Sequence, residues 1–331
     1  MSKKGFRISF PNFFTFLIIC LFSFLIPVLI IVKPSLALEI KALKKAGEYD
    51  TPGEARSVTI VGKYAYVGDG DTGLLIIDVS DPSKPGLVSS LDTPGYACDI
   101  AVNGDYAYIA DCKMGIQIVN IKNPSKPKGV TNYKTNGYAC GILYNDGYLY
   151  VADSEKGLQI LDAIKPETPV FIGDCETPGD TCGLAMKGNL LYLADKDKGL
   201  QIVDIAKPEV PWPIGIIEVP GRPYKVAIRD DYAFIAAWDG LQIVNIKDPK
   251  NPGIVGGYDS PGSSCEVAIM ENFAFLADCE AGVQVIDITK PSIPKFVTGF
   301  DTPGNARGIA VHEGLIYVAD SEKGLQILRI E

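Results

Sequence analysis

A heptapeptide close to Gly-Leu-Gln-Ile-Val-Asp-Ile returns seven times between residue 73 and the end of the 331-residue chain. Its copies begin at Gly73, Gly115, Gly157, Gly199, Gly240, Gly282 and Gly324. The interval between successive glycines is 42 residues, except for one interval of 41. Such a period means that one supersecondary unit is stacked seven times, as in solenoids and propellers. A single folded body therefore accounts for most of the chain.

Each unit has the pattern of four antiparallel strands. In the second unit, residues 98–102 and 106–110 alternate between inward and outward side chains around a tight Asn-Gly-Asp turn. Residues 115–121 make a third strand. After a connection with two prolines, residues 128–133 make a fourth, outer strand. Seven such units predict an all-β fold, a seven-bladed β-propeller of four-stranded antiparallel blades.

The two ends of the chain predict how the ring closes. Residues 39–50 stand where every other unit has its outer strand, whereas the chain stops after a third strand, residues 324–330. The N-terminal outer strand is therefore expected to join the three C-terminal strands in one blade. Closure of this kind removes the exposed sheet edges that an open array would leave.

Three recurring motifs carry a family resemblance: the Gly-Leu-Gln-Ile-Val-Asp-Ile strand, the Tyr-x-x-Ala-Asp before it, and Asp-Thr-Pro-Gly. Together they resemble the LVIVD-repeat family, and the resemblance extends over residues 39–331. It implies a β-propeller of the kind found in exported or surface-attached prokaryotic proteins. It implies no catalytic residues.

Residues 1–37 have the pattern of an export segment. Three basic residues precede an uncharged apolar run from Phe13 to Val32, and small residues end the segment at Ala37. Two interpretations stay open, since the small residues favour a cleaved signal peptide and the length of the run favours an N-terminal membrane anchor. Either one predicts a secreted or extracytoplasmic propeller over residues 38–331, with membrane contact only through an uncleaved segment.

The charge balance argues against one class of partner. Residues 1–37 hold four of the 31 basic side chains and none of the 40 acidic ones, so the remainder carries a formal charge of −13. An acidic body of this kind repels phosphate backbones and anionic membrane surfaces. Nucleic-acid binding is therefore not expected.

One position in each unit is expected to line the central channel. It lies three residues after the glycine of each Pro-Gly or Asn-Gly, at the start of the first strand. The seven residues at this position, called the ring positions below, are Arg56, Cys98, Cys140, Cys182, Tyr224, Cys265 and Arg307. Function is expected on this loop face, where loops converge on a rigid frame.

The cysteines at the ring positions have several interpretations. Cysteine can serve as a small apolar residue in a tight channel wall. The hairpin register, however, places Cys98 beside Cys112 and Cys265 beside Cys279, and so predicts two disulfides. A third candidate pair, Cys175 with Cys182, would clip the loop between them.

Cys140 is then left over if Cys20 is removed with the export segment. Such an odd cysteine is a candidate reactive or intermolecular thiol. If all the thiols were reduced instead, Cys98, Cys140 and Cys182 on consecutive blades could bind a soft metal, although no Cys-x-x-Cys pair supports that alternative.

Six units carry an aspartate at the end of the second strand, which would form a ring of channel-mouth carboxylates. They are Asp69, Asp111, Asp153, Asp195, Asp278 and Asp320, and Ala237 replaces the seventh. A structural role is expected, in which each aspartate accepts hydrogen bonds from its own turn. The functional alternative is a ring that holds a polar ligand or a cation opposite Arg56 and Arg307. No cofactor is predicted; Asp71 and Asp197 make faint calcium-loop patterns that lack the remaining ligands.

The fifth unit departs most from the repeat. Its turn is one residue shorter and contains Trp238, and its leading loop contains Arg222, Tyr224 and Lys225. These four residues are expected to form an aromatic and basic patch. Aromatic and arginine side chains are common anchors in binding sites, whereas a locally repacked loop is the alternative.

The sequence favours a binding protein over an enzyme. Its single histidine, His312, falls in a turn on the opposite face, which argues against Ser-His-Asp and Cys-His catalysis. We therefore expect a non-enzymatic propeller that recognises a protein or a surface glycan through Trp238, Tyr224, Arg222, Lys225, Arg56 and Arg307. The alternative is a hydrolase or lyase that uses the channel-mouth carboxylates, with or without calcium.

Overall fold

The computed structural model of the protein describes residues 38–331, and this part of the chain is built from β-strands joined by turns and loops. In chain order the strands are β1 (Leu43–Tyr49), β2 (Ser57–Val61), β3 (Tyr64–Gly68), β4 (Leu74–Asp78), β5 (Gly86–Leu91), β6 (Asp99–Asn103), β7 (Tyr106–Ala110), β8 (Ile116–Asn120), β9 (Lys128–Tyr133), β10 (Gly141–Asn145), β11 (Tyr148–Ala152), β12 (Leu158–Asp162), β13 (Val170–Cys175), β14 (Thr181–Lys187), β15 (Leu190–Asp195), β16 (Gly199–Asp204), β17 (Trp212–Ile217), β18 (Pro223–Arg229), β19 (Tyr232–Ala237), β20 (Gly240–Asn245), β21 (Gly253–Asp259), β22 (Glu266–Met270), β23 (Phe273–Ala277), β24 (Val283–Asp287), β25 (Lys295–Phe300), β26 (Gly308–His312), β27 (Leu315–Ala319) and β28 (Leu325–Ile330).

These strands form seven four-stranded antiparallel sheets, which confirms the predicted seven-bladed propeller. Blades one to six are simple meanders, β2–β5 through β22–β25, in which each strand pairs with the next along the chain. The tight turns between first and second strands, such as the one between Asn103 and Tyr106, fix the register of each hairpin.

The seventh blade closes the ring as the two chain ends predicted. Its order is β1-β28-β27-β26, so the N-terminal strand lies outside the last strand of the chain. Leu43 pairs with Ile330 and Tyr49 with Leu325. Beyond the ladder, the backbone N–H of Ala42 donates to the carbonyl of Glu331 at 3.1 Å.

The hydrophobic core lies between neighbouring blades. The second and third strands of each blade are almost wholly buried, because apolar side chains on both of their faces pack against the adjacent blades. Between blades two and three, for example, Tyr108 and Ile118 pack with Leu149 and Val151. Backbone bridges such as that between Cys112 and Ala139 add a link between the blades at the loop face.

The predicted export segment, residues 1–37, lies outside the described residues. Within residues 38–331, no helical segment is long and apolar enough to cross a bilayer.

Candidate functional site

The six repeated aspartates tie down the loops of the same blades. All six are completely buried. Each carboxylate accepts a hydrogen bond from the backbone N–H of the glycine 16 residues earlier, for example from Gly53 to Asp69 at 2.8 Å and from Gly304 to Asp320 at 2.9 Å. In four blades a hydroxyl 18 residues earlier also donates, as Thr51 does to Asp69 at 2.6 Å. The recurring Asp-Thr-Pro-Gly motif is thus the partner of the Ala-Asp motif.

This arrangement supports the structural role of the aspartates and corrects the expected partner. The hydrogen bonds come mainly from the preceding loop. Asp195 also accepts from its own turn, through the N–H groups of Asp197 and Lys198. Burial raises the pKa of Asp320 to about 6 and raises the pKa of Asp69, Asp111, Asp153 and Asp195. None of the six is among the residues that line the central cavity.

Blade five lacks both partners of the hydrogen bond between the threonine and the aspartate. Val219 stands in place of the threonine and Ala237 in place of the aspartate. The loop is held instead by the backbone, since the N–H of Trp238 donates to the carbonyl of Arg222 at 3.1 Å. A backbone hydrogen bond therefore stands where the other blades have a buried carboxylate, and Trp238 in the shortened turn is 48% exposed.

A half-enclosed cavity of about 160 Å³ lies at the centre of the ring. All seven ring positions line it, together with two lysines: Arg56, Cys98, Cys140, Cys182, Lys196, Tyr224, Lys225, Cys265 and Arg307. The seven ring positions expected from the repeat therefore all lie in the cavity wall. Lys196, which comes from a turn, and Lys225 were not expected there.

A β-bulge at the start of the first strand brings two consecutive residues toward the channel. The ladder of blade five skips Tyr224 between Pro223 and Lys225, and that of blade four skips Cys182 in the same way. Bulges of this type re-aim side chains at the rims of sheets. The residues that follow the ring positions in sequence are called the second positions: Ser57, Asp99, Gly141, Gly183, Lys225, Glu266 and Gly308.

Three of the second positions form a partly buried charge cluster that joins blades two, five and six. The Nζ of Lys225 in blade five lies 2.6 Å from Asp99 Oδ2 in blade two and 3.8 Å from Glu266 Oε1 in blade six. The carboxylates are held in turn by neighbouring blades, since Ile142 N–H donates to Asp99 and Ile309 N–H donates to Glu266. Gly183 leaves room for the lysine, since a Cβ there would lie 2.9 Å from Lys225 Cδ. Lys225, expected near Trp238 and Tyr224, thus shares the cavity wall with Tyr224 and is paired with Asp99 and Glu266.

The cluster changes the protonation of its members. Burial disfavours the charged form of Lys225, but the carboxylates of Asp99 and Glu266 outweigh it and raise the pKa of Lys225. Burial also raises the pKa of Glu266 to about 7, although Lys225 opposes the shift. At neutral pH Lys225 is therefore a cation, whereas Glu266 is close to the midpoint of its titration.

Two of the three expected disulfides are present. Cys98 is bonded to Cys112 and Cys265 to Cys279, each with a Cα to Cα distance of 6.4 Å. The third expected pair was wrong, since Cys175 and Cys182 are both free, as is Cys140. The three-cysteine metal alternative also fails, because Cys98 is already bonded. Within residues 38–331, no three His, Cys, Asp or Glu side chains are grouped closely enough to hold a metal ion.

An aromatic and basic chain of side chains runs from the cavity to the loop face. Lys196 lies over the ring of Tyr224 at 5.4 Å, and the rings of Tyr224 and Trp238 lie 6.2 Å apart. Arg222 continues the chain outward and forms an ion pair with Asp197 at 3.6 Å, in which both side chains are about half exposed. Across the cavity, Arg56 and Tyr96 stack at 5.6 Å.

The repeat is matched independently by a family model. The model of the LVIVD repeat matches residues 52–93, 94–135, 136–177, 178–217, 220–260, 261–302 and 303–330. The chain belongs to the LVIVD-repeat family. Each of the first six LVIVD repeats spans one blade and begins in the loop that leads into the first strand of that blade. The seventh repeat spans β26 to β28 of the closing blade.

Solved structures share the architecture of this LVIVD propeller. The computationally designed Ika8 protein has 8% sequence identity and a TM-score of 0.64, and the match covers 88% of this chain and all of that one. BamB from Moraxella catarrhalis has 14% identity and a TM-score of 0.61, with 86% of this chain and 85% of that one covered. At such identities the similarity shows the fold alone. No curated protein sequence matches the chain.

Sequence analysis missed three residues of the LVIVD propeller's centre. Asp99 and Glu266 were not singled out, although they stand one residue after a ring position, as Lys225 does. An alignment of the residues one position after the ring positions would have shown three charged residues, whereas three of the other four repeats have glycine there. Lys196 gave no such signal, because only the fold places its turn beside Tyr224 of the next blade.

Proposed function

We propose that this propeller is an exported, non-enzymatic binding protein that recognises an acidic protein or surface glycan through its loop face around blade five. Trp238 is the central anchor of the site, Tyr224 supports it from the cavity, and Arg222 lies at its edge. Arg56, Arg307 and Lys196 line the cavity beneath it.

The observation that carries this proposal is the placement of Trp238. Blade five lacks the buried aspartate that the other six blades have, and at that point it carries a tryptophan that is 48% exposed and tilted against the ring of Tyr224 at 6.2 Å. Tryptophan, tyrosine and arginine are the residues most enriched among energetically dominant interface contacts. The blade that departs from the repeat is therefore the one that carries an anchor.

Charge supports an acidic partner. Residues 38–331 carry a net charge of −13, yet the cavity wall contributes two arginines and two lysines. Lys225 is neutralised by its two carboxylates, whereas Lys196 and Arg56 lie over tyrosine rings. A basic centre within an acidic body attracts anionic groups and orients their approach.

Replacing Trp238 with alanine is expected to weaken capture of the partner from the native cell surface by about 30-fold or more, because a tryptophan anchor contributes on the order of 2 kcal/mol or more. The measurement is quantitative affinity capture with wild-type and variant protein. Trp212→Ala is the matched control: Trp212 is 68% exposed on the outer strand β17, and its loss is expected to leave capture unchanged.

Two treatments of the cell surface separate the partner classes. Protease treatment is expected to abolish capture of a protein, and periodate oxidation is expected to abolish capture of a glycan. Equal capture by wild type and Trp238→Ala, or a larger loss with Trp212→Ala, would overturn the proposed site.

A further inference from the structure

Two free cysteines stand side by side in the wall of the central cavity. Cys140 and Cys182 occupy the same ring position on blades three and four, and both line the cavity. The blades approach closely here, since a Cβ added at Gly141 would lie 2.4 Å from the carbonyl oxygen of Cys182. Cys175, the third free cysteine of the described chain, does not line the cavity. Its burial makes it an internal reference.

The surroundings of the pair favour one thiolate. A hydrogen bond from Cys140 is the main cause that lowers the pKa of Cys182 to about 7, and Lys196 and Lys225 lower it further against the effect of burial. The same contact raises the pKa of Cys140. Burial, Asp174 and Glu176 raise the pKa of Cys175 instead. The thiolate is the nucleophile in sulfur exchange, so Cys182 is the reactive member of the pair.

The positively charged side chains around Cys140 and Cys182 favour an anionic substrate. Arg56 faces the cavity from blade one, and Arg307 of blade seven donates from Nη1 to the sulfur of Cys265 at 3.5 Å. The charged or titratable groups around the thiols are thus Lys196 and Tyr224 beside Cys182, Arg56 and Arg307 across the cavity, and the cluster of Lys225, Asp99 and Glu266 beneath. Arginine and lysine groups of this kind bind carboxylates.

We propose that Cys140 and Cys182 form a redox-active dithiol that reduces small anionic disulfides by thiol–disulfide exchange in the central cavity. Cys182 thiolate attacks one sulfur of the substrate, forms a mixed disulfide and releases the other sulfur as a thiolate, which takes up a proton. Cys140 then gives up its proton and attacks the sulfur of Cys182, which releases the second substrate thiolate. The substrate gains two electrons, and the cysteine pair becomes a disulfide. This activity shares the cavity cations with the proposed binding site but requires neither Trp238 nor Arg222.

The test uses the protein purified as the producing cell makes it and handled under anaerobic conditions. The protein is incubated at pH 7 with oxidised glutathione, which serves as the anionic disulfide probe. Peptide mapping by mass spectrometry is expected to show a Cys140 to Cys182 disulfide and a Cys175 that stays unmodified. Cystamine, a cationic disulfide, is expected to react at least about tenfold more slowly, because the cavity cations repel it. Equal rates for the two probes would overturn the proposed anion selectivity.

Two variants assign the roles of the cysteines. Cys140→Ser is expected to trap a mixed disulfide with glutathione on Cys182, whereas Cys182→Ser is expected to lower the reaction rate at least 100-fold. Cys175→Ser is the matched control and is expected to react at the wild-type rate. A wild-type protein that forms no Cys140 to Cys182 disulfide, or a Cys175 that reacts as fast as Cys182, would overturn the proposal.

Discussion

Deleting residues 38–50 is expected to abolish cooperative unfolding of the propeller. The deletion removes β1, which supplies the outer strand of the seventh blade and buries Ile40 and Leu43 against blade six. Burial of two such side chains contributes about 3 to 6 kcal/mol, and the lost ladder leaves β28 as an open edge. Since domains are stable by only about 5 to 15 kcal/mol, most of the stability is lost. Thermal and urea unfolding followed by circular dichroism measure the effect.

A rearranged chain provides the sharpest control for this deletion. Residues 38–50 moved to follow Glu331 should restore unfolding to near the wild-type midpoint, because β1 is antiparallel to β28 and starts beside its end. In the rearranged chain, eight residues connect the paired residues Arg329 and Lys44. In blade two, seven residues connect the equivalent pair, Asn120 and Lys128, so the new connection has a suitable length. If the simple deletion unfolds like the wild type, the ring is not held closed by β1.

Replacing Lys225 with methionine is expected to lower the free energy of unfolding by about 3 to 5 kcal/mol, because two carboxylates that are mostly buried lose their cation. The triple variant Lys225→Met, Asp99→Asn, Glu266→Gln should recover most of this loss, since no unpaired charge remains. Lys187→Met is the matched surface control. Its ion pair with Asp231 is about half exposed on both sides, so the expected change is at most about 1 kcal/mol.

The same cluster gives a pH dependence of known sign. The pKa of Glu266 is about 7 when folded, above its ordinary value of 4.5, so between these values the folded state holds a proton that the unfolded state has lost. Stability conferred by that proton is complete below pH 4.5 and is lost as pH rises through 7. Urea unfolding from pH 5 to 8 should show this fall in the wild type. Glu266→Gln should remove the part centred near pH 7 and leave the part near pH 6, which the raised pKa of Asp320 causes. A Lys225→Met variant as stable as the wild type at pH 8 would show that the lysine is not needed to offset the buried carboxylates.

The architecture could be predicted because the same four-strand pattern occurs in seven successive units. The spacing of the Gly-Leu-Gln-Ile-Val-Asp-Ile strands gave the blade count, and residues 39–50 gave the closure, since a strand pattern without a partner in its own unit must pair elsewhere. The disulfides of Cys98 and Cys265 also followed from local register, because both cysteines of each pair lie in one hairpin.

Contacts between blades could not be predicted in the same way. Cys182 was expected to pair with Cys175 because they are near in sequence, whereas its neighbour in space is Cys140 on the adjacent blade. The bulge that turns Lys225 into the channel is equally invisible in a hydrophobic pattern, because alternation predicts that consecutive residues face opposite sides. The partners of the repeated aspartates lie in another loop, so their role was predicted but their donors were not.

Photo-crosslinking from position 238 on the native cell surface tests the proposed binding face most directly. A photoreactive phenylalanine, which carries a diazirine and keeps an aromatic ring, replaces Trp238 in one protein and Trp212, on the outer strand of blade four, in another. Position 238 should give one discrete crosslinked adduct that excess unlabelled wild-type protein suppresses, and position 212 should give none. No adduct from position 238, or the same adduct from position 212, would contradict a partner-binding site on the loop face of blade five.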